Sequence, residues 1–170
     1  MGAARYEELK RAIRAYGEAA FQNLLRSRAL AEAIVASFPA YIAAEADAVA
    51  AVPAEGPFDP RTDYGDAAFS FHHRPVIVLE PVRFGLSLIV GNAEDQGALW
   101  LRTIIAAEVM GDHFDVFVAE RPVVRIPLDF EGRLDPVLEA IHQEFLSTFE
   151  TEVTEFNDAR FKGGIGFLPG

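Results

Sequence analysis

The chain has 170 residues, a net charge of −11 and 51% apolar side chains. A chain of this size can bury a sizeable core, and no shift in composition marks a second domain, so residues 1–170 are expected to form a single domain. The negative charge would repel a phosphate backbone, which argues against nucleic acid as a partner unless the first helix, with six Lys or Arg and three acids over residues 1–28, acts alone. Cysteine is absent, which excludes disulfides, thiolate metal sites and a cysteine nucleophile.

The sequence gives no sign of a membrane or export segment. No uncharged apolar run reaches the length of a membrane span, so no membrane partner is expected. Residues 1–14 alternate charged and apolar side chains, whereas an export signal would place an apolar segment after a basic one. We therefore predict a cytoplasmic protein.

Apolar side chains recur at steps of three and four near the start of the chain, which predicts a helical layer over residues 1–52. The first stripe consists of Tyr6, Leu9, Ile13, Tyr16, Ala20 and Leu24. One long helix and two helices broken near Ser27 both fit the continuation of this stripe. Pro39 is expected to force Phe38 out of helical geometry, and a third short helix is expected from Pro39 to Ala51.

Residues 53–66 contain three prolines and two glycines, so we predict an irregular connection from the helical layer to a sheet. The period then changes to two between Val82 and Val90, which predicts a half-buried strand. The apolar run Val76–Leu79 is interpreted as a strand buried on both faces. A further strand is expected from Ala67 to His73.

The segment Leu99–Met110 suits either a helix or a strand. We assign a strand because Gly111 and Asp112 follow it and the next residues alternate again, as in a hairpin. A last strand is expected over Val123–Leu128, at an edge of the sheet because it contains Pro127. Residues 67–130 are thus predicted to form an antiparallel meander of about five or six strands.

A long amphipathic helix is predicted over residues 134–158, with Asp135 as its cap and Pro136 in its first turn. Its apolar stripe consists of Leu138, Ile141, Phe145, Phe149, Val153 and Phe156. Residues 159–170 form a glycine-rich apolar tail. The expected fold class is α+β in two layers, with the long helix packed on the sheet. Such a sheet could curl around this helix and enclose a cavity, as in helix-grip ligand binders. This comparison is an analogy of fold and does not rest on sequence resemblance.

Three residues are candidates for a catalytic site: His73 in the first expected strand, and Asp112 and His113 at the expected hairpin turn. Neighbouring residues of a strand point to opposite faces, so His72 and His73 cannot ligate one metal in a regular strand. A closed zinc site needs about four ligands, and the chain offers neither thiolates nor a helical pair of histidines. We expect no metal and no cofactor.

Three arginines in the expected strands are candidates for binding an anionic ligand: Arg83, Arg102 and Arg125. They could line one face of the sheet. Pairing with acidic side chains of the same sheet, such as Glu80, Glu108 or Glu120, is the alternative role.

Other enzyme motifs are incomplete. The segment 85–89 lacks the second glycine of a nucleophile elbow and falls inside a strand. The glycines at 163–166 precede no helix that could bind phosphate, and the acidic pair Glu94 and Asp95 falls in a loop between strands. We therefore favour a non-catalytic domain that binds a protein or a small molecule, and not an enzyme. The alternative is a small enzyme with a His/Asp site in a sheet-lined cavity.

We also expect the chain to self-associate, most simply as a dimer. The helices and the tail present more apolar surface than one meander can cover. The contact would use the first helix or the apolar residues of the tail, namely Phe161, Ile165, Phe167 and Leu168. The alternative is that the tail folds back as an edge strand and the helices pack on each other, which would leave a monomer.

Overall fold

The computed structural model describes residues 2–92, 97–155 and 165–168, which form an α+β fold. Two α-helices and six strands follow in the order α1 (Gly2–Tyr41), β1 (Val49–Val52), β2 (Val82–Asn92), β3 (Gly97–Met110), β4 (His113–Val118), β5 (Val124–Pro127), α2 (Asp135–Glu155) and β6 (Ile165–Leu168). Short 3-10 helices cover Ala46–Ala48, Gly65–Ala68 and Ser70–His73.

The strands form one antiparallel sheet in the order β1-β2-β3-β4-β5, and β6 pairs with the beginning of β3. The alternation between Val82 and Val90 predicts β2 correctly, because Val82, Phe84 and Leu86 are buried on the face that meets the helices. Their partners in β3 are Ala107, Ile105 and Thr103, which continue this inner face across the sheet.

Both helices contribute to the core on the inner face of the sheet. The second half of α1 buries Leu30, Ile34 and Phe38, and α2 buries Ile141 and Phe145 in the same cluster. The rings of Phe38 and Phe145 lie 5.9 Å apart between centroids, so the two helices also pack on each other. No helix in the described part of the chain is long and apolar enough to cross a membrane.

The predicted third helix over Pro39–Ala51 is wrong. The first helix runs unbroken past Ser27, Pro39 lies in its last turn, and Val49–Val52 form an edge strand instead. Proline so close to a helix end removes only one intrahelical hydrogen bond, and the burial of Phe38 offsets that loss.

A Schellman motif ends α1. The amide of Ala44 donates to the carbonyl oxygen of Pro39 at 2.8 Å, and the amide of Ala43 donates to that of Ala40 at 3.2 Å. Ala43 occupies the left-handed position at φ 56°, where glycine is the usual residue. The reversed chain then enters β1.

Two predicted strands before β2 are also wrong. Residues 67–73 belong largely to the two 3-10 helices, with an isolated bridge from Phe69 to Phe84. The run Val76–Leu79 forms no strand and is exposed, because Pro75 and Pro81 flank it and cannot donate to a sheet ladder.

The later elements follow the prediction closely. Leu99–Met110 is the greater part of β3, which joins β4 through the turn at Gly111 and Asp112. The edge strand β5 and the helix α2 are present. In the tail, Ile165–Leu168 pair with Ala98–Leu101, as in the fold-back alternative. Glu94, Asp95, Phe156, Phe161 and the glycines 163 and 164 lie outside the described residues.

Candidate functional site

The three candidate arginines lie on the outer face of the sheet, away from the helices. The register places Arg83 opposite Ala106, Arg102 opposite Ser87, and Arg125 opposite Asp115. These positions alternate with the buried inner residues of each strand. The connection after β1 crosses this face over β2 and β3, so part of it is covered.

Arg102 fastens that connection to the sheet. Its Nη1 donates to the carbonyl oxygen of Pro53 at 3.1 Å and to that of Gly56 at 2.8 Å. The guanidinium lies 4.3 Å from the ring centroid of Phe58, which in turn packs edge-on against Trp100 at 4.8 Å. Partial burial lowers the pKa of Arg102, and nearby Glu55 opposes the shift.

The other two candidate arginines have separate partners. Arg83 pairs with Glu55 at 2.9 Å, and Arg125 pairs through Nε with Asp115 at 3.2 Å. Each guanidinium thus meets its own acceptor, and Arg102 meets two backbone oxygens. The three arginines therefore share a face of the sheet, but their guanidinium groups do not converge on a common site for an anionic ligand.

Asp112 and His113 contact each other at the β3–β4 turn. Nδ1 of His113 lies 2.9 Å from Oδ1 of Asp112, and this hydrogen bond is the main cause of the lowered pKa of Asp112. On the other side, Nε2 of His113 lies 3.5 Å from Oδ1 of Asp115. The Asp112 side chain is fully exposed, so water screens the pair, in contrast to the dry surroundings of most catalytic dyads.

His73, the third catalytic candidate, ends the 3-10 helix Ser70–His73 and does not belong to a strand. Among the residues the structure describes, no three histidine, aspartate or glutamate side chains are grouped so that they could hold a metal ion. The sequence candidates therefore give one exposed contact, Asp112 with His113, and no metal centre in that part of the chain.

The first half of α1 exposes its apolar stripe. Tyr6, Leu9 and Ile13 are 61%, 61% and 70% exposed, and Tyr16 is also exposed. Along the same helix Ala20 is buried and Leu24 is partly buried, whereas Phe21 and Leu25 remain exposed. The stripe is fully buried from Leu30 onward. The helix therefore carries a continuous apolar face, and among the described residues only its second half packs into the core.

A second exposed apolar segment adjoins this stripe. Val76 and Leu79 lie on the surface, and the backbone amide of Leu79 donates to the hydroxyl oxygen of Tyr16 at 3.0 Å. Tyr6, Leu9, Ile13, Tyr16, Val76 and Leu79 are called here the apolar patch. No sequence pattern indicates the part contributed by Val76 and Leu79, because an apolar run between prolines has the same composition whether it is buried or exposed.

A cleft of about 1030 Å³ lies beside the edge strand β1. One wall is formed by α1 between Arg28 and Pro39, and the other by the segment 60–65. Val49, Ala50 and Ala51 border the cleft between these walls. Sequence reasoning missed this cleft because it assigned β1 to a helix.

Comparison of the chain with models of protein families, with curated proteins and with solved structures finds no match.

Proposed function

We propose that this chain is a non-catalytic protein-binding domain that self-associates through the apolar patch. The observation that carries the proposal is the exposure of Tyr6, Leu9 and Ile13 on a helical stripe that is buried further along the same helix. Exposed apolar surface of this extent, bordered by charged residues, is typical of interaction sites.

The area of the patch supports a partner of protein size. Its six side chains expose roughly 700 Å², if a large apolar side chain offers about 200 Å² when fully exposed. A specific interface of standard size buries about 800 Å² on each partner. The patch and its immediate surroundings therefore approach the size that a stable complex needs.

The charge distribution supports a second copy as the partner. Residues 1–28 contain six Lys or Arg and three acidic residues, a balance of +3, which leaves −14 for the remaining residues of a chain at −11. The attraction between the basic helix of one chain and the acidic remainder of another offsets part of the repulsion between two chains of net charge −11. A symmetric dimer also covers both copies of the patch at once.

The test is the mass in solution by light scattering coupled to size exclusion. We expect twice 18.6 kDa for the unchanged chain and a return to 18.6 kDa for Ile13→Asp. Ala15→Asp is the matched control, because it places the same charge on an exposed position of the same helix away from the stripe. A monomer at tens of micromolar, or equal effects of the two substitutions, would contradict the proposal.

The alternative of a small enzyme has one supporting distance, the 2.9 Å contact between Asp112 and His113. Both residues lie at a surface turn, and neither borders the cleft beside β1. Binding is therefore the function that the described geometry supports better.

A further inference from the structure

We propose that the cleft beside β1 binds an extended peptide segment of another protein, which adds to β1 as a further strand and presents an acidic side chain to Arg61. This site is separate from the apolar patch, and the proposal goes beyond self-association. Strand addition at an exposed sheet edge is a common mode of peptide recognition.

The first argument is the free edge of β1. This strand pairs on one side with β2, from Val49 opposite Leu88 to Val52 opposite Gly85. In an antiparallel pair, alternate residues direct their amide and carbonyl groups away from the partner strand. Among the described residues, no backbone group outside β2 hydrogen-bonds to residues 50–52. The outer edge therefore offers donors and acceptors to a further strand.

The second argument is the shape of the cleft. Its volume of about 1030 Å³ is at the upper end of the range for ligand pockets, roughly 300–1,000 Å³. Ala50 and Ala51 have small side chains, which leaves space beside the strand. Because walls rise from α1 and from the segment 60–65, the space suits one extended chain, spaced about 4.8 Å from β1, better than the edge of a whole second sheet.

The third argument is the charge of the cleft. Arg28 pairs with Glu32 at 3.0 Å and with Asp66 at 2.6 Å. The side chain of Arg61, which also borders the cleft, forms no ion pair or hydrogen bond with any residue that the structure describes. A guanidinium in this position favours a carboxylate partner. Glu32, Asp47 and Asp63 also border the cleft, and Glu32 is paired with Arg28. These acids disfavour a run of acidic side chains, so a single one, opposite Arg61, is expected.

The test uses fluorescence polarisation with a labelled synthetic peptide of about ten residues, which exceeds the length of β1 at about 3.3 Å per residue. The peptide alternates Thr and Val and has one central Glu. A matched peptide has Lys in place of the Glu. Two further peptides carry N-methyl groups on alternate amides, so that each of them blocks the hydrogen-bond donors along one of the two edges of the peptide strand. We expect saturable binding of the Glu peptide, about tenfold weaker binding of the Lys peptide, and loss of binding for one N-methylated peptide.

Two substitutions locate the site. Ala36→Trp should abolish binding by filling the cleft from an exposed position of α1, whereas Ala15→Trp, the same change elsewhere on that helix, should leave it intact. Arg61→Glu should reverse the preference in favour of the Lys peptide.

Absence of binding by the Glu peptide, or equal binding by both N-methylated peptides and the unmodified one, would overturn strand addition. An unchanged preference in the Arg61→Glu variant would overturn the role of that arginine. Failure of the Ile13→Asp variant to alter the mass would leave these measurements unaffected, so the two proposals are tested separately.

Discussion

The hydroxyl of Tyr41 donates a hydrogen bond to the carboxylate of Glu139, and so joins the end of α1 to the first half of α2 across 98 positions of the chain. The bond holds the pKa of Glu139 below its ordinary value, with a smaller contribution from Gln143. It also raises the pKa of Tyr41. Tyr41→Phe should therefore raise the pKa of Glu139, measured by NMR titration of the side-chain carboxyl.

The sign of the pH dependence follows from these two shifts. Because the folded state lowers the pKa of Glu139, its contribution to stability is present above the unfolded pKa and is lost as the pH falls through the folded pKa. Because the folded state raises the pKa of Tyr41, the contribution of this tyrosine to stability is lost as the pH rises through the folded pKa of Tyr41. The difference in unfolding free energy between the unchanged chain and Tyr41→Phe should be largest between these limits. A difference independent of pH would contradict this account.

Gly85 is required by the close approach of the connection after β1. A Cβ atom at this position would lie 2.8 Å from the carbonyl oxygen of Pro53 and 3.0 Å from Cγ2 of Val52. Gly85→Ala should destabilise the fold by about 1–3 kcal/mol in denaturant unfolding, the usual cost of overpacking. Gly91→Ala, in the same strand with open space around it, is the control and should have little effect.

The Schellman motif at the end of α1 predicts a stabilising substitution. Ala43 has φ 56°, and a left-handed conformation costs an L residue roughly 1–2 kcal/mol. Ala43→Gly removes that cost, partly offset by the greater freedom of glycine in the unfolded chain, so we expect a gain of about 0.5–1 kcal/mol. Ala40→Gly, at a helical position of the last turn, should instead destabilise. A loss of stability in both variants would contradict the assignment.

Arg102→Lys tests how the connection 53–58 is held. Lysine lacks the planar guanidinium, which packs on Phe58 and whose Nη1 donates to the carbonyl oxygens of Pro53 and Gly56. We expect faster amide hydrogen exchange in residues 53–58 and a loss of about 1 kcal/mol of stability. Arg83→Lys, which alters an exposed ion pair, should cost less. Equal rates of amide hydrogen exchange in the two variants would show that the guanidinium of Arg102 is not needed to hold the connection.

Phe145 is a core residue of α2, as the helical spacing predicted. It is 4% exposed and packs against Phe38 of α1. Phe145→Ala should destabilise by about 3–5 kcal/mol, the range for deleting a buried phenylalanine. Glu144→Ala removes only the 3.5 Å contact with Arg121 and should cost far less. Equal midpoints in denaturant melts would contradict the placement of the helix face.

Local sequence patterns predicted the elements for which the pattern of the segment and its packing in the fold favour the same structure. The alternation in β2, the turn at Gly111 and the apolar stripe of α2 are short-range features that need no knowledge of the fold. Asp135, the expected cap, is instead the first residue of α2, and the carbonyl oxygen of Leu134 accepts the first helical hydrogen bond. The errors arose where tertiary context decides. Residues 49–52 are compatible with helix, but pairing with Gly85–Leu88 makes them β1.

The sites were less predictable than the fold. The alternation of side chains along the strands predicted that Arg83, Arg102 and Arg125 could share one face of the sheet. The contact between Asp112 and His113 follows from their being neighbours in the sequence. The partners of Arg83 and Arg102, in contrast, come from a distant segment of the chain. Glu55 and the carbonyl groups at 53 and 56 reach the sheet only because the connection folds over it. Such contacts leave no periodic signal in the sequence.

The length of α1 links the self-association of the chain to the stability of the first turns of this helix. At about 1.5 Å per residue the helix spans roughly 60 Å, and residues 2–19 are almost entirely exposed along it. A helical segment of that size with so little tertiary packing is only marginally stable in water. The helix–coil equilibrium of these turns and the pairing of two chains would therefore be coupled. Dilution would then unwind the beginning of the helix as well as separate the chains.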